Sequence, residues 1–203
     1  KEFLFTTKEQ ARKALGVAEP LVVSAFGSQG AKVMNETVAD MMVLEQADGF
    51  PFRHIHATGS FGKEWMPKRV KDNGVDYENC PAIDIREYIY DMPTVLTAAD
   101  VDIGRAGSAT CNEMAASGTP CSLVPSPNVT NNHQEKNARV LESGGGAVVL
   151  LEKDCTAETL YGLICQLLAD EERRAQMSRK LHAQLRPDST DRICAIVEEI
   201  IGR

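Results

Sequence analysis

Short apolar runs alternate with longer amphipathic stretches along most of the chain. Residues 21–25 form a β-rich apolar run, and residues 31–46 place apolar side chains near one face of a helix. The same alternation continues to residue 151. It predicts strands at residues 21–25, 53–57, 82–87, 101–104, 121–124 and 147–151, separated by helices at residues 31–46, 63–73, 92–99, 110–117 and 134–143.

The last quarter of the pattern is helical throughout. Thr156 precedes an apolar run and is a suitable N-cap for a helix that ends near Leu168. A helix with a charged outer face follows at residues 171–185, and a turn at residues 187–189 leads into a final helix that ends at residue 201. Apolar side chains on one face of this final helix require a surface to cover them.

Strands that alternate with helices indicate a parallel sheet covered by helices on both faces. About six strands predict the fold class, which is α/β with one Rossmann-like, doubly wound parallel sheet. No internal repeat, low-complexity tract or clear linker divides the sequence, so residues 1–203 are expected to form one domain. The sequence begins at Lys1 rather than at a methionine, and we expect it to be part of a longer protein.

Composition and charge narrow the class of protein. Hydrophobic residues make up 43% and charged residues 25% of the sequence, which suits a globular domain with a buried core. The net charge of −7 argues against general binding to nucleic acid or to anionic membranes, although a few backbone amides can still bind one phosphate. Six scattered cysteines without a C-x-x-C pair, and the lack of an apolar run of about 20 residues, favour a cytoplasmic protein with free thiols.

The loop after the first predicted strand, residues 26–30, is a candidate phosphate site. Ligands of an open parallel sheet bind beyond the carboxyl ends of the strands. Gly27 and Gly30 allow close approach of the backbone, Ser28 adds a hydroxyl donor, and the following helix directs free N–H groups to the same point. A simple tight turn explains the glycines equally well. The spacing differs from G-x-G-x-x-G, and no acidic residue ends the second strand, which disfavours dinucleotide binding.

A second glycine loop, residues 104–110, precedes another helix. Glu113 lies in the first turn of this helix, and its carboxylate can accept two hydrogen bonds from the cis-diol of a ribose. The alternative is that Glu113 only complements the helix dipole. Arg105 could pair with a phosphate or form an ion pair with Asp100 or Asp102.

The segment at residues 125–137 is dense in amide side chains. Amides both donate and accept hydrogen bonds, as recognition of sugar hydroxyls requires. The alternative is a polar surface loop with Asx turns, in which His133 and Gln134 only cap the next helix. Three such loops at one sheet edge offer a phosphate site, a diol acceptor and a sugar-binding segment, and this combination favours a nucleotide-sugar as the ligand.

Two histidines, His54 and His56, lie on one face of the second predicted strand. Paired imidazoles can bind a metal ion, but no further cluster of His, Cys or Asp completes a site around them. The sequence therefore disfavours a metal site at this strand.

Several of these segments resemble one enzyme family. They are Gly27-Ser28-Gln29-Gly30-Ala31, Arg105-Ala106-Gly107, residues 113–120 and residues 131–134. Residues 21–200 are similar to the C-terminal domain of the MurG-type N-acetylglucosaminyltransferases, which convert lipid I to lipid II in peptidoglycan synthesis, and residues 125–138 are the most specific part. The resemblance implies a GT-B fold, of which this domain is the donor-binding half.

The resemblance also implies a set of substrate contacts. They involve Gly27, Ser28, Gln29, Gly30, Tyr88, Ile89, Ser108, Ala109, Thr110, Glu113, His133 and Gln134. Residues 27–30 and 108–110 would hold the diphosphate of UDP, with the sugar beside residues 108–110. Tyr88 and Ile89 would form the uracil pocket, and Glu113 would bind the ribose. Gln134, with His133, would bind the N-acetylglucosamine hydroxyls.

The same resemblance implies how this domain contributes to a whole enzyme. The substrate would be UDP-N-acetylglucosamine, with no cofactor and no required metal, and the lipid I acceptor would bind through an N-terminal domain absent from this sequence. That domain would also supply the catalytic base and the membrane contact, so we expect no catalytic residue here and no binding to nucleic acid. Residues 187–203 would pack on the absent domain, and the complete enzyme would be peripheral on the inner face of the cell membrane. The chain alone would bind donor without catalysing transfer.

Two further hypotheses belong to other classes of protein. A nucleotide-sugar epimerase of the same fold would need a pair of carboxylates near the sugar ring, and the sequence offers no convincing pair. A non-catalytic nucleotide-binding or interaction module is the alternative outside enzymes. Selective binding of UDP-N-acetylglucosamine over NAD and ATP would favour the glycosyltransferase.

Overall fold

The strands form one parallel sheet, as the alternating pattern predicts. The computed structural model describes residues 3, 6–185 and 188–202. The strands are β1 (Leu21–Ala25), β2 (Arg53–Ala57), β3 (Ile83–Arg86), β4 (Val101–Gly104), β5 (Cys121–Leu123) and β6 (Ala147–Val149). Their order in the sheet is β3-β2-β1-β4-β5-β6, so the chain returns from one edge to the middle between β3 and β4. This order is that of a doubly wound, Rossmann-like sheet, and it confirms the predicted fold class.

Nine α-helices in the described residues surround the sheet. They are α1 (Lys8–Leu15), α2 (Lys32–Ala47), α3 (Trp65–Asp72), α4 (Met92–Ala98), α5 (Ser108–Ser117), α6 (His133–Ser143), α7 (Ala157–Ala169), α8 (Glu171–Gln184) and α9 (Ser189–Ile201). Thr156 caps α7 as predicted, because its side chain accepts a hydrogen bond from the Thr159 amide. Pro187, in the predicted turn before α9, lies outside the described residues. Within the described ranges, no helix has the length and apolar character needed to cross a membrane.

The hydrophobic pattern does not predict α1. This helix is mostly polar, and Ala11 is its one buried residue. Capping interactions define it instead, since Thr7 and Gln10 form a capping box and Gly16 ends the helix in the left-handed conformation. A short helix that depends on its caps leaves no signal in the periodicity of apolar residues.

Two predicted boundaries shift near the carboxyl edge of the sheet. Helix α5 begins at Ser108, two residues before the predicted start, because Gly107 adopts an extended conformation (φ −67°, ψ 153°) and acts as the N-cap. Strand β6 ends at Val149, and the chain then enters a short 3-10 turn (Glu152–Asp154). The earlier start of α5 places Ser108 inside its first turn. The prediction that Glu113 lies in this first turn is therefore wrong, because Glu113 is the sixth residue of the helix.

Each face of the sheet carries its own hydrophobic core. On one face, Val22 of β1 packs in a cluster with Met34 of α2 and with side chains of α3 and α7. On the other face, Val23 of β1 belongs to a cluster with Met114 of α5 and with side chains of α4 and α6. The helix that follows β1 therefore covers one face, and the helix that follows β4 covers the other.

The loop between β1 and α2 lies directly against the loop between β2 and α3. The Ser60 amide donates a hydrogen bond to the Ser28 carbonyl over 3.1 Å. Gly30 has a φ of 78°, and a Cβ atom there would lie 2.0 Å from the carbonyl oxygen of Thr58. Glycine at position 30 thus meets two requirements at once, a left-handed conformation and a close approach of two backbones.

We predict that Gly30→Ala destabilises the domain by more than about 3 kcal/mol, because it combines a positive φ with a backbone clash. Gly74→Ala is the matched control. Gly74 also has a positive φ (85°), but nothing lies within 4 Å of an added Cβ atom, so we expect a loss of about 1 kcal/mol. Urea unfolding followed by circular dichroism measures both losses. Equal losses would contradict the close-approach argument.

Candidate functional site

The loops that follow β1, β3 and β4 open into one hollow at the carboxyl edge of the sheet, with a volume of about 230 Å³. The residues that line it are Ala25, Gly27, Ser28, Ala57, Tyr88, Ile89, Met92, Leu96, Asp102, Ala109, Thr110, Glu113 and Met114. Of the predicted contact residues, the hollow brings together Gly27, Ser28, Tyr88, Ile89, Ala109, Thr110 and Glu113. It lies where β1 and β4 are neighbours in the sheet, which is the point at which the strand order reverses.

The loop after β1 turns sharply at Gly27, which has a φ of 87°. The Gly30 amide donates to the Gly27 carbonyl over 3.0 Å and closes a four-residue turn that places Gly27 and Ser28 at the wall of the hollow. Because the Gly30 amide bonds within the turn, it does not offer a free donor to a phosphate. Gln29 and Gly30 face a separate cleft beside Trp65, so these two predicted contacts do not share the hollow.

The first turn of α5 forms a second wall of the hollow. Its first backbone bond runs from the Cys111 amide to the Gly107 carbonyl, so the amides of the three preceding helical residues have no acceptor within the helix. Ala109 and Thr110 line the hollow, whereas Ser108 lines a neighbouring groove between α5 and α6. These amides and the dipole of α5 favour an anion at this wall.

The loop between β3 and α4 contributes an aromatic ring and an aliphatic side chain. Tyr88 is 45% exposed, whereas Ile89 is 1% exposed and belongs to the core beside α4. Tyr90 packs edge-on against Tyr88, with the ring centroids 5.0 Å apart. A half-exposed ring next to a buried aliphatic residue is suited to pack on a planar base.

Two carboxyl groups line the hollow, and none of its lining residues is Lys or Arg. Burial raises the pKa of Glu113. Asp102 is 2% exposed, and its burial, followed by the nearby Glu113, raises the pKa of Asp102 well above its usual value. From the sequence, Asp102 was predicted only as a possible partner of Arg105. The signal that could have identified its place in the hollow is an acidic residue inside the apolar run of β4.

The segment at residues 125–137 contributes to a separate cavity of about 500 Å³, which Val33 and Glu152 also line. Its predicted sugar contacts, His133 and Gln134, do not line the hollow. The side-chain oxygen of Gln134 accepts a hydrogen bond from the Ser126 amide over 2.9 Å. His133 Nδ1 donates to the Thr130 carbonyl over 3.0 Å. Both side chains thus stabilise the loop before α6, and neither caps that helix as the alternative in the sequence supposed.

Two asparagines that no motif singles out connect the walls of the hollow to the helices. Asn35 of α2 donates to the Thr58 carbonyl over 2.7 Å, and Asn137 of α6 donates to the Ala106 carbonyl over 3.0 Å. Each is a polar residue on the inner side of an amphipathic helix. This feature of the sequence could have identified them. They fix the loops after β2 and β4 in place.

Arg105 does not form an ion pair with Asp100 or Asp102, so that alternative is wrong. Its guanidinium pairs with Glu152 and donates to the Val124 carbonyl over 3.0 Å. Asp100 pairs instead with two cations of α1. The physical reason is that Arg105 follows the carboxyl end of β4, whereas Asp100 precedes its amino end, and the strand holds them apart.

His54 and His56 belong to a buried hydrogen-bond network on the α2 face of the sheet. Ser24 Oγ lies 2.7 Å from a ring nitrogen of each, and Glu45 lies 2.8 Å from the other ring nitrogen of His54. Burial, followed by the charge of His54, lowers the pKa of His56 well below its usual value. Among the described residues, no group of three or more His, Cys, Asp or Glu side chains is arranged to hold a metal ion.

A larger cavity, of about 660 Å³, lies at the opposite edge of the sheet beside α1 and α8. It contains Asp100, whose charge Lys8 and Arg12 already neutralise at 2.7 and 3.0 Å. Ligands of open parallel sheets bind at the carboxyl edge, so the smaller hollow is the candidate site.

The fold and the position of the hollow define a class of protein, the Rossmann-like α/β domains that bind a ligand beyond the carboxyl ends of their strands. MurG from Acinetobacter baumannii has a similar crystal structure, with a TM-score of 0.79 at 23% identity over 98% of this chain and 55% of that one. MnaA from S. aureus, solved with UDP, has a TM-score of 0.71 at 11% identity over 95% of this chain and 48% of that one. Both comparisons show a shared fold.

The sequence matches the model of the glycosyltransferase family 28 C-terminal domain over residues 21–193. The chain therefore belongs to glycosyltransferase family 28, and the predicted resemblance is confirmed. A relative from Acetivibrio thermocellus, 39% identical over 202 residues, is a UDP-N-acetylglucosamine–N-acetylmuramyl-(pentapeptide) pyrophosphoryl-undecaprenol N-acetylglucosamine transferase. The alignment covers 98% of this chain and 53% of that relative, so the chain spans about half the length of the curated relatives it matches.

Acidification below pH 6.5 is expected to destabilise the domain through His56. Its pKa in the folded state lies well below the unfolded value of 6.5, so the unfolded state binds the proton first and stability is lost as the pH falls below 6.5. The His56→Gln variant lacks this titration. Its free energy of unfolding should therefore fall less on acidification than that of wild type, by up to about 1.4 kcal/mol per pH unit. Urea unfolding of both chains between about pH 7.5 and 5.5 measures the difference.

Through Asp102 and Glu113, acidification stabilises the folded state. Their pKa values are raised, so the folded state binds their protons more tightly than the unfolded state does. The two chains share these carboxyl groups. The difference between their free energies of unfolding at each pH therefore reports on His56 alone, whereas the pH dependence of either chain by itself does not. Parallel pH profiles for wild type and His56→Gln would contradict the prediction.

Proposed function

We propose that the chain is the donor-binding half of an N-acetylglucosaminyltransferase that uses UDP-N-acetylglucosamine. The observation that carries the proposal is that a glycine turn, the first turn of α5, an aromatic–aliphatic pair and Glu113 meet at one hollow. Membership of glycosyltransferase family 28 favours sugar transfer over epimerisation on the same fold. The name of the Acetivibrio thermocellus relative supports N-acetylglucosamine as the sugar.

The hollow suits the nucleoside part of the donor. Its volume of about 230 Å³ is too small for a whole nucleotide-sugar, since sites for ligands of that size span about 300–1,000 Å³. In the proposed complex, uracil packs against Tyr88 and Ile89, and the ribose hydroxyls donate hydrogen bonds to Glu113. The diphosphate therefore lies at the rim of the hollow, and the sugar lies outside it.

The diphosphate is proposed to lie between the turn at residues 27–30 and the amides of Ala109 and Thr110. Since no lining residue is Lys or Arg, backbone amides and the dipole of α5 supply the positive potential. The sugar extends towards residues 125–137, where Gln134 and His133 exchange their present contacts for sugar hydroxyls. The predicted contacts outside the hollow, Gln29, Gly30 and Ser108, act through the shape of their loops.

In the complete enzyme, an acceptor hydroxyl oxygen attacks the anomeric carbon while the bond from that carbon to the UDP oxygen breaks. The hydroxyl proton passes to a base outside this chain, and the electron pair stays on the leaving diphosphate. Amides that are already oriented stabilise this developing charge without reorganisation. The domain thus provides donor specificity and leaving-group stabilisation, and the chain alone binds donor without transferring sugar.

The terminal segment, residues 187–203, is proposed to pack on the other half of the enzyme through helix α9 (Ser189–Ile201). Its exposed apolar side chains are Ile193, Ile196, Val197, Ile200 and Ile201. An apolar stripe of this size favours burial against a partner surface. The curated relatives, of which this chain covers 53% and 54%, have a second half that can provide that surface. The same half would bind lipid I and contact the inner face of the cell membrane.

Glu113→Ala is expected to weaken binding of UDP about 10- to 100-fold, because the ribose loses an ionised hydrogen-bond acceptor. Glu87→Ala is the matched control, since Glu87 is an exposed acid of the neighbouring loop that does not line the hollow. Isothermal titration calorimetry with UDP measures the affinity of the wild-type chain and both variants. Equal affinities for wild type and Glu113→Ala would refute the ribose role.

The wild-type chain is also expected to bind UDP-N-acetylglucosamine more tightly than NAD or ATP. The physical reason is that β2 ends at Ala57 rather than at the acidic residue that holds an adenosine ribose in dinucleotide-binding sheets. Competition titrations with the three ligands give the order of affinities. Tighter binding of NAD or ATP would overturn the proposed donor.

A further inference from the structure

Asp102 is an acidic side chain within the hollow that the proposed contacts do not use. It lies in β4 between Val101 and Ile103, both fully buried, and it is itself 2% exposed. Val101 and Ile103 point into a hydrophobic core, whereas Asp102 lines the hollow together with Glu113. It is far less exposed than Tyr88, which lines the same hollow and is 45% exposed.

No group on the surrounding elements stabilises a negative charge on Asp102. Its Oδ2 atom is buried and has no hydrogen-bond partner within the described residues. The titratable groups that face it are Glu113 of α5, Cys121 of β5 and Tyr88 of the loop before α4, and no Lys, Arg or His lines the hollow. An isolated buried carboxylate beside a second carboxylate is strongly unfavourable, so this geometry favours the protonated form of Asp102. The raised pKa of Asp102 agrees with this geometry.

A protonated Asp102 offers a ligand a hydrogen-bond donor, which an ionised Glu113 lacks. Its O–H can donate a hydrogen bond, whereas an ionised carboxylate can only accept. A ribose hydroxyl both donates and accepts. Its O–H can therefore bond to Glu113 while its oxygen accepts a bond from Asp102.

We propose that Asp102 is a second ribose-binding group of the nucleotide site, whose carboxylic acid O–H donates a hydrogen bond to a ribose hydroxyl oxygen. The inference rests on the proposed nucleotide-binding function. Ionisation of Asp102 removes this donor and places a second negative charge beside Glu113. Affinity for the nucleotide-sugar therefore falls as the pH rises.

Calorimetric titration with UDP-N-acetylglucosamine across about pH 5.5 to 8.5 tests the proposal. This probe is preferable to UDP, because it lacks a terminal phosphate whose second proton titrates near pH 6. The wild-type chain is expected to bind about 5- to 10-fold more weakly at the upper end of the range, which corresponds to one lost hydrogen bond. Asp102→Asn keeps a neutral donor and should bind equally well at every pH, whereas Asp102→Leu should bind weakly at every pH.

Asp100→Asn is the matched control. It makes the same substitution two residues earlier, on a side chain that pairs with Lys8 and Arg12 at the opposite edge of the sheet. This variant should keep the wild-type pH profile of affinity. Circular dichroism verifies that each variant folds, and the nearly isosteric Asp102→Asn keeps the test decisive if Asp102→Leu does not fold.

A wild-type affinity that does not change with pH would overturn the role of Asp102, and so would an Asp102→Asn variant that keeps the wild-type profile. Either result leaves binding of the nucleotide-sugar intact. If the wild-type chain binds no UDP-N-acetylglucosamine at any pH, the proposed function itself fails, and the role of Asp102 fails with it.

Discussion

The site depends on one constraint, which is that β1 and β4 are neighbours although the helices that follow them cover opposite faces of the sheet. The chain segments leaving these two strands diverge, so neither can fill the space beyond the carboxyl ends. That space is the hollow. The loops then set its shape, and the close approach of Gly30 to Thr58 fixes the wall that carries the glycine turn.

The distribution of charge within the hollow separates two kinds of ligand group. The carboxyl groups of Asp102 and Glu113 suit hydroxyls, and the negative charge of Glu113 would repel a phosphate. The amides of Ala109 and Thr110 suit a phosphate, because they lie in the first turn of α5 with no acceptor within the helix. A nucleotide-sugar carries both hydroxyls and phosphates, and oriented amides allow even an acidic protein with a net charge of −7 to hold such a dianion.

The buried network of Ser24, His54 and His56 lies on one side of the sheet, and the buried Asp102 lies on the other. The effects of protonating the two can therefore be distinguished. Ser24, His54 and His56 share a network under α2, within the core that α2, α3 and α7 cover. Asp102 lies on the side of α4 and α5, where it lines the hollow. Protonation of the network affects the folding equilibrium, whereas protonation of Asp102 also affects the ligand, because only Asp102 borders the space that a ligand would occupy.

The sequence by itself determined the alternation of strands and helices, and with it the sheet and the edge at which a ligand binds, because apolar periodicity is a local property of the chain. Gly27 was identifiable for the same reason, since its place in a loop between a strand and a helix is a local feature. Glu113 was identifiable from its place near the start of a predicted helix, although α5 begins at Ser108 and Glu113 lies in its second turn. The tertiary structure alone decided that Gln29 faces another cleft, and that Asp102 borders the hollow rather than pairing with Arg105. The groups that surround a side chain in a parallel sheet come from strands and helices distant in sequence, and no local pattern specifies them.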